Sequence, residues 1–385
     1  MECIKLFKEI DELYENYCDI WEEVCNIESP TDYKEGVDKV GNLFIDMAQK
    51  QGWRVEVLQE KISGNAICIT MNPDADGQPV SLSGHIDTVH PIGLFGKPAV
   101  HRDETKIYGP GVMDCKGGVV AAFLAMDALK RIGFCARPVH LLIQSDEENS
   151  SMTSNKETID FLCMKAADSV AFLNLEGIQG NTAVLQRKGI LRYCFKVSGK
   201  ALHSSRCAEG ANAIAEAAHK IIELEKMKDS EGITCNCGVI HGGTVANTVA
   251  ENCTFLADIR FSTMKELEWV KKQCQAIAKK SFVAGCTCIM EEVSYRPPME
   301  FSEKNAALLE RMNSIYEKNQ LPVLTPRKTL SGSDAAYVTL CGIPCVDNIG
   351  VDGGNIHSQD EYAILASLAE CAKRVAAFIY CCSLE

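Results

Sequence analysis

The distribution of apolar and polar residues predicts a chain of alternating helices and strands. In residues 4–24 and 33–51, apolar side chains recur at spacings of three and four, the pattern of amphipathic helices. Short apolar runs bounded by glycine, proline, asparagine or aspartate follow, and they predict strands at residues 55–58, 66–70 and 80–82. Later segments keep this alternation, which favours an α/β fold.

The middle of the chain has a different order of elements. From residue 190 to residue 293 the pattern predicts strand, helix, strand, strand, helix and strand. This order is typical of the ferredoxin-like unit, which folds as a compact domain. We therefore predict an inserted small domain at residues 182–294, with residues 1–181 and 295–385 forming the two parts of a larger domain.

Composition narrows the class of protein. The chain has 385 residues, 46% hydrophobic and 24% charged, with a formal net charge of −13. This acidic balance, with no basic run to offset it, argues against a nucleic-acid partner. No apolar run approaches the ~20 residues of a membrane helix, so no membrane partner is expected. A signal-peptide pattern is absent, and we expect the 20 cysteines to be mostly reduced residues of a cytoplasmic protein.

A histidine and an aspartate follow the third predicted strand. His85 and Asp87 come just after residues 80–82, and the period of two along a strand puts both side chains on one face. The carboxyl ends of strands are where an open α/β sheet binds ligands. A lone His-x-Asp is also common in ordinary surface loops, so its meaning depends on the other strand ends.

Acidic residues follow two further predicted strands. Glu147 and Glu148 come after the strand at residues 139–143, and Glu176 comes after the strand at residues 169–173. Adjacent carboxylates repel one another unless they are solvated or bridged by a cation. Both explanations fit the acidic run taken by itself.

Two glycine-rich loops carry the remaining candidates. Asp114 precedes a predicted helix at residues 119–131, where it fits either a helix N-cap or a ligand, and the loop lacks the P-loop order. His357 lies in a glycine-rich loop near the carboxyl terminus, a poor place for a core residue. Nitrogen and oxygen ligands of these kinds suit zinc, and a bridging carboxylate joins two ions in co-catalytic hydrolases.

The ordered motifs resemble a di-zinc hydrolase family that includes glutamate carboxypeptidase, acetylornithine deacetylase, succinyl-diaminopimelate desuccinylase and aminoacylase. The resemblance covers nearly the whole chain, and Tyr-Gly-Pro-Gly at 108–111 and Ser-Asp-Ala-Ala-Tyr at 333–337 look like the glutamate carboxypeptidase branch. It implies a catalytic domain with a mixed sheet flanked by helices. It also implies that the inserted ferredoxin-like domain is a lid and a dimerisation surface.

The resemblance further implies a pair of zinc ions, with Co²⁺ or Mn²⁺ as substitutes. One ion would be held by His85, Asp114 and Glu176. The other would be held by Asp114, Glu148 and His357, with Asp114 as the bridge. These assignments predict that three strand ends and two loops converge on one place.

Catalytic and substrate-binding roles follow from the same resemblance. Glu147 would be the general base and acid, and Asp87 would orient His85. His203, on the inserted domain, would reach the active site of a neighbouring subunit and steady the oxyanion. Substrate binding is assigned to the following residues: Arg260, Asn247 and Ser333. Arg260 read alone would instead be an exposed charge on a strand.

The implied function is hydrolysis of an amide or peptide bond beside a free carboxylate, with release of a C-terminal amino acid. An N-acyl amino acid deacylase and a dipeptidase are alternatives, because their substrates also place an amide next to a carboxylate. A catalytically silent metal- or carboxylate-binding protein is a different class, and the presence of Glu147 counts against it. The expected partners are a small peptide or N-acyl amino acid and a second copy of the chain.

Overall fold

A computed structural model describes residues 3–229 and 232–383. The helices are α1 (Ile4–Cys25), α2 (Lys34–Lys50), α3 (Lys116–Arg131), α4 (Glu157–Ala166), α5 (Ala213–Glu225), α6 (Met264–Lys279), α7 (Glu303–Lys318), α8 (Ala335–Leu340) and α9 (Leu365–Cys381). The strands are β1 (Arg54–Leu58), β2 (Ala66–Met71), β3 (Val80–His85), β4 (His101–Arg102), β5 (Lys106–Tyr108), β6 (Val139–Gln144), β7 (Ala171–Asn174), β8 (Thr182–Arg187), β9 (Gly189–Ser198), β10 (Thr234–Gly242), β11 (Asn252–Phe261), β12 (Thr287–Arg296), β13 (Thr325–Thr329), β14 (Cys345–Val346), β15 (Gly353–Gly354) and β16 (Tyr362–Ile364).

The chain forms two compact units. Unit 1 contains the residues up to Leu185, Phe301–Lys328 and the residues from Tyr337 onward, and unit 2 contains Gln186–Glu300 and Thr329–Ala336. The predicted fold class, a mixed α/β sheet domain with a ferredoxin-like α+β domain, is confirmed. The predicted domain boundaries at 182 and 294 stay a prediction, because compact units alone do not define domains. Within the described residues, no helix has the length and apolar character needed to cross a membrane.

A six-stranded mixed sheet lies at the centre of unit 1, in the order β1-β2-β6-β3-β7-β14. Strands β6, β3, β7 and β14 run parallel, whereas β1 and β2 run antiparallel to their neighbours. Alternate side chains, such as Ile67, Ile69, Leu141 and Ile143, enter the main core together with residues of α1, α2, α3 and α9. The parallel strands therefore end at one edge, where the loops of the candidate site begin.

Helix α3 is buried on all sides and begins against the end of β7. It packs against α1, α9, β3 and β6, and every side chain from Lys116 to Leu129 is buried. Two consecutive glycines permit this approach. A Cβ atom at Gly117 would lie 2.3 Å from the carbonyl oxygen of Val112, and one at Gly118 would lie 2.0 Å from that of Leu175.

Unit 2 contains a four-stranded antiparallel sheet in the order β10-β11-β9-β12, which is the ferredoxin-like order. Strand β9 alternates: Leu191, Tyr193, Phe195 and Val197 enter the core of the unit. Helices α5 and α6 pack on the sheet and against each other. The apolar residues at alternate positions of the predicted strand thus form the inner face of this sheet.

A buried ion pair links α5 to the segment after α6. Lys220 Nζ lies 3.0 Å from Glu216 Oε1, and both side chains are 1% exposed. Glu216 Oε2 accepts the backbone N–H groups of Phe282 and Val283, at 2.8 and 2.6 Å. Lys220 donates to backbone carbonyls at the end of α6. Every charged atom of the pair thus has a partner that offsets its loss of hydration.

Some elements were not predicted. Strands β15, β16, β5 and β4 form a small sheet, and each has two or three residues, too few to produce a recognisable period. Helix α4 was also missed. Strand β3 runs past its apolar stretch to His85, since its pairing with β6 continues through Gly84 and His85.

Gly118→Ala should lower the free energy of unfolding by about 1 to 3 kcal/mol, because the added methyl must displace backbone at Leu175. Alanine is the better helix former by about 1 kcal/mol, so helix propensity cannot explain a loss. Urea unfolding measures the change. Gly41→Ala is the matched control, since its Cβ would meet the flexible end of Ile67. Equal losses in the two variants would contradict the packing argument.

Candidate active site

The predicted ligands of unit 1 start from neighbouring strand ends. His85 is the last residue of β3, Glu147 and Glu148 follow β6, and Glu176 follows β7. Because β3 pairs in parallel with both β6 and β7, these ends lie side by side. The structure therefore brings the strand-end candidates to one edge of the sheet.

Asp114, in the loop before α3, lies between two histidines. Its Oδ1 is 3.1 Å from Nε2 of His85, and its Oδ2 is 3.1 Å from Nε2 of His357. His357 Nε2 also lies 3.2 Å from Glu148 Oε2, and His85 Nε2 lies 3.7 Å from Glu176 Oε1. The five predicted ligands thus meet in one place, with one oxygen of Asp114 facing each side.

Burial and crowding set the ionisation of these groups. Burial, reinforced by the charge of Asp114, raises the pKa of Glu148 to about 8. The same two causes raise the pKa of Glu176 well above its usual value. Burial opposes ionisation of Asp114, but hydrogen bonds from His357 and His85 hold its pKa well below the ordinary range. A divalent cation would remove this competition for protons, since it neutralises several carboxylates at once.

The donor set fits a metal ion. Two groups of described residues have ligand atoms within 4.8 Å of one another: His85, Asp114 and Glu148, and His85, Cys115 and Glu176. Imidazole nitrogen, carboxylate oxygen and thiol sulfur are all ligands of zinc. The thiol of Cys115 is buried and donates to the carbonyl oxygen of Leu175 at 3.2 Å.

Asp87 is fully buried and contacts both His85 and the backbone of the acidic pair that follows β6. Its Oδ1 lies 3.3 Å from Nδ1 of His85 and accepts the backbone N–H of Glu147 at 3.1 Å. Its Oδ2 accepts the backbone N–H of Glu148 at 3.1 Å and the hydroxyl of Thr31 at 2.7 Å. Asp87 therefore fixes the acidic pair as well as the histidine. Sequence reasoning missed that contact and Thr31, because nothing in the spacing connects them.

Glu147 is 6% exposed and stands among the other acids. Its charge contributes to the raised pKa of both Glu148 and Glu176, which places its carboxylate near theirs. Glu147 belongs to neither group of close ligand atoms. An additional carboxylate thus accompanies the predicted ligands.

His203 and Asn247 lie in unit 2, where their loops meet. The backbone N–H of Ser204 donates to the carbonyl of Asn247 at 2.9 Å. The ring nitrogen Nδ1 of His203 is 2.9 Å from the Ser205 hydroxyl, and the His203 side chain is exposed. The structure thus joins these two predicted residues within one unit.

Arg260 and Ser333 also lie in unit 2. Arg260 Nε donates to Asp258 Oδ1 at 2.7 Å, so part of its guanidinium fork already faces a carboxylate. Ser333 is fully buried, and its hydroxyl accepts the backbone N–H of Ala335 at 3.3 Å. The period of two along a strand puts Asp258 and Arg260 on one face, so their contact could have been expected from the sequence, whereas the contact of Ser333 depends on how its loop turns.

Two further buried residues of unit 1, Glu361 and His90, were missed as well. Glu361 contacts the Asp114 loop through its side chain, and it pairs with His90. The signal was weak: one acid four positions after His357 and one histidine three positions after Asp87. Single residues at such spacings are common in loops of any protein.

Comparisons with known proteins show which sequences and folds this chain resembles. The chain is 25% identical to carboxypeptidase G2 of Pseudomonas sp. (strain RS-16) over 354 residues, 90% of this chain and 84% of that protein. It is 24% identical to a succinyl-diaminopimelate desuccinylase of Rickettsia bellii over 357 residues, 84% of this chain and 86% of that protein. A solved tripeptidase of Staphylococcus aureus has the same fold, with a TM-score of 0.78, 21% identity and coverage of 97% of this chain and 99% of that one. The model of peptidase family M20/M25/M40 matches residues 81–380, and the chain therefore belongs to that family.

Proposed function

We propose that this protein is a co-catalytic zinc hydrolase that cleaves an amide or peptide bond beside a free carboxylate, as a carboxypeptidase of small substrates. The observation that carries the proposal is the meeting of two histidines and two further carboxylates around Asp114, with Glu147 beside them. The likeness to carboxypeptidase G2 supports release of a C-terminal amino acid. The likeness to succinyl-diaminopimelate desuccinylases favours an N-acyl amino acid deacylase as the second candidate.

A pair of zinc ions fits the donors, and Co²⁺ or Mn²⁺ would fit the same set. We assign one ion to His85, Asp114 and Glu176, and the other to Asp114, Glu148 and His357. The two oxygens of Asp114 face different histidines, which is the arrangement a bridging ligand requires. When bound, zinc supplies a Lewis acid that polarises the amide carbonyl and acidifies water.

Glu147 is assigned to proton transfer. Its carboxylate would take a proton from the attacking water and deliver it to the nitrogen of the leaving amine. The hydrogen bond from its backbone N–H to Asp87 fixes its position beside the ligands.

Unit 2 is assigned to substrate recognition. The remaining N–H groups of Arg260 would bind the substrate carboxylate as a fork, with Asn247 and Ser333 contributing from neighbouring loops. Nδ1 of His203 faces Ser205, so Nε2 is the nitrogen assigned to donate to the developing oxyanion. We propose that His203 serves the site of a second copy, in a homodimer. The free thiols among the described cysteines support a reducing, cytoplasmic location.

Glu147→Gln should lower kcat by about 10²- to 10⁴-fold, because the amide cannot accept the proton of water. Zinc content and Tm should stay unchanged, since Glu147 is not assigned to a ligand position. Hydrolysis of C-terminal glutamate peptides and N-acetyl amino acids, with zinc measured on the same sample, tests this. Glu157→Gln, an exposed acid at the start of α4, is the control. Full turnover in the Glu147 variant with zinc in place would rule out the assigned role.

Removing zinc with a chelator should abolish hydrolysis and lower Tm, because a ligand at 100 times its Kd stabilises a fold by about 2.7 kcal/mol. The apoprotein should take up a pair of zinc ions per chain in a calorimetric titration. Asp114→Asn should weaken both binding events, since both ions share that side chain. Uptake of a single equivalent by the unaltered protein would contradict the bridged pair.

His203→Ala should lower kcat by about 10²- to 10³-fold, as expected for an oxyanion donor. When it is mixed with Glu147→Gln under conditions of subunit exchange, about a quarter of the sites should regain activity, because each mixed dimer carries one intact site. Native mass spectrometry reports the exchange. Mixed dimers without recovered activity would show that His203 serves its own chain.

A further inference from the structure

Glu361 is buried at the point where three loops of unit 1 meet, with 1% of its surface exposed. Its Oε1 accepts the backbone N–H groups of Met113 and Asp114, at 3.0 and 3.1 Å. Its Oε2 lies 3.0 Å from Nε2 of His90. Both carboxylate oxygens are thus engaged inside the protein.

These contacts tie together the segments that carry the candidate ligands. Asp114 belongs to the loop before α3, and His90 follows the end of β3 that carries His85. Glu361 itself follows His357, and its carbonyl oxygen accepts the backbone N–H of Gly109 at 3.2 Å. The side chain of Glu361 therefore connects the loop that carries Asp114 with the segment that follows His85.

We propose that Glu361 is a positioning residue for the metal centre: it fixes the Asp114 backbone so that one carboxylate oxygen faces each histidine. The inference rests on the proposed function, because it concerns the same metal site. A charged acceptor holds adjacent N–H groups more strongly than a neutral one does, and burial strengthens the contact further. His90 offers the carboxylate a partner that offsets its loss of hydration.

The geometry assigns this residue an effect on metal affinity rather than on folding alone. Partners that orient ligands typically change metal affinity by about 10- to 100-fold when they are removed. Without the Glu361 carboxylate, the two peptide units that flank Met113 lose their acceptor, and the two oxygens of Asp114 no longer face both histidines together. The two ions would then share an Asp114 carboxylate whose oxygens are no longer directed toward both of them.

Unit 2 provides a matched arrangement that includes none of the candidate metal ligands. Glu216 is also 1% exposed, accepts the N–H groups of two consecutive residues, and pairs with the buried Lys220. Removing either carboxylate takes the acceptor from two consecutive backbone N–H groups and the acidic partner from one buried basic side chain. A purely structural role for Glu361 therefore predicts equal behaviour of the two sites in a metal-binding assay.

The experiment compares Glu361→Met, Glu361→Gln and Glu216→Met with the unaltered protein. Zinc affinity of each folded apoprotein is measured by competition with a chromogenic chelator, and Tm is recorded on the same samples. Glu361→Met should bind zinc about 10- to 100-fold more weakly. Glu361→Gln should bind nearly as tightly as the unaltered chain, since its amide oxygen still accepts both N–H groups and its amide nitrogen can donate to His90.

Glu216→Met should lower Tm and leave zinc affinity unchanged. Unaltered affinity in Glu361→Met would overturn the inference while leaving the proposed function intact. Equal losses in Glu361→Met and Glu216→Met would overturn it as well, because general loosening would then explain them. If Glu361→Met does not fold, a loss of affinity in Glu361→Gln equal to that of Asp114→Asn contradicts the positioning role. An unaltered protein that binds no zinc would overturn the proposed function and this inference together.

Discussion

The contact of the two Asp114 oxygens with two different histidines is the interaction on which the site depends. One carboxylate keeps an oxygen toward each histidine only if the backbone that carries it is fixed. Glu361 accepts the backbone N–H of Asp114. Helix α3 begins two residues after Asp114, and its glycines let the helix approach Leu175. Close packing and hydrogen bonding thus both fix the side chain of Asp114.

Crowding of carboxylates gives this site its chemical character. Glu148 and Glu176 are largely buried, and burial together with Asp114 raises the pKa of each. A protein keeps such groups together only where something compensates their repulsion, and a divalent cation does so for several acids at once. Asp87 provides the rigid frame, because it fixes the backbone of the acidic pair and one imidazole together. The chemistry of this edge therefore depends on electrostatics more than on shape.

The sequence was informative where a residue's position follows from periodicity. Parallel strands end at one edge, so His85, Glu148 and Glu176 could be expected to converge before any coordinates were known. It was uninformative where position depends on a loop crossing the molecule. Glu361 reaches Asp114 across 247 residues of chain, and Thr31 reaches Asp87 across 56. Arg260 is a contact that periodicity could have indicated, since Asp258 lies two positions before it on the same strand and shares its face.

The central claim is that Asp114 bridges a pair of ions within this edge of unit 1. Crystals grown with zinc and measured on both sides of the zinc absorption edge test it most directly, because anomalous scattering locates each ion independently of the protein density. The account predicts a pair of anomalous peaks about 3.5 to 4 Å apart, with one oxygen of Asp114 bonded to each. A single peak, or peaks bound by residues other than these histidines and acids, would contradict it.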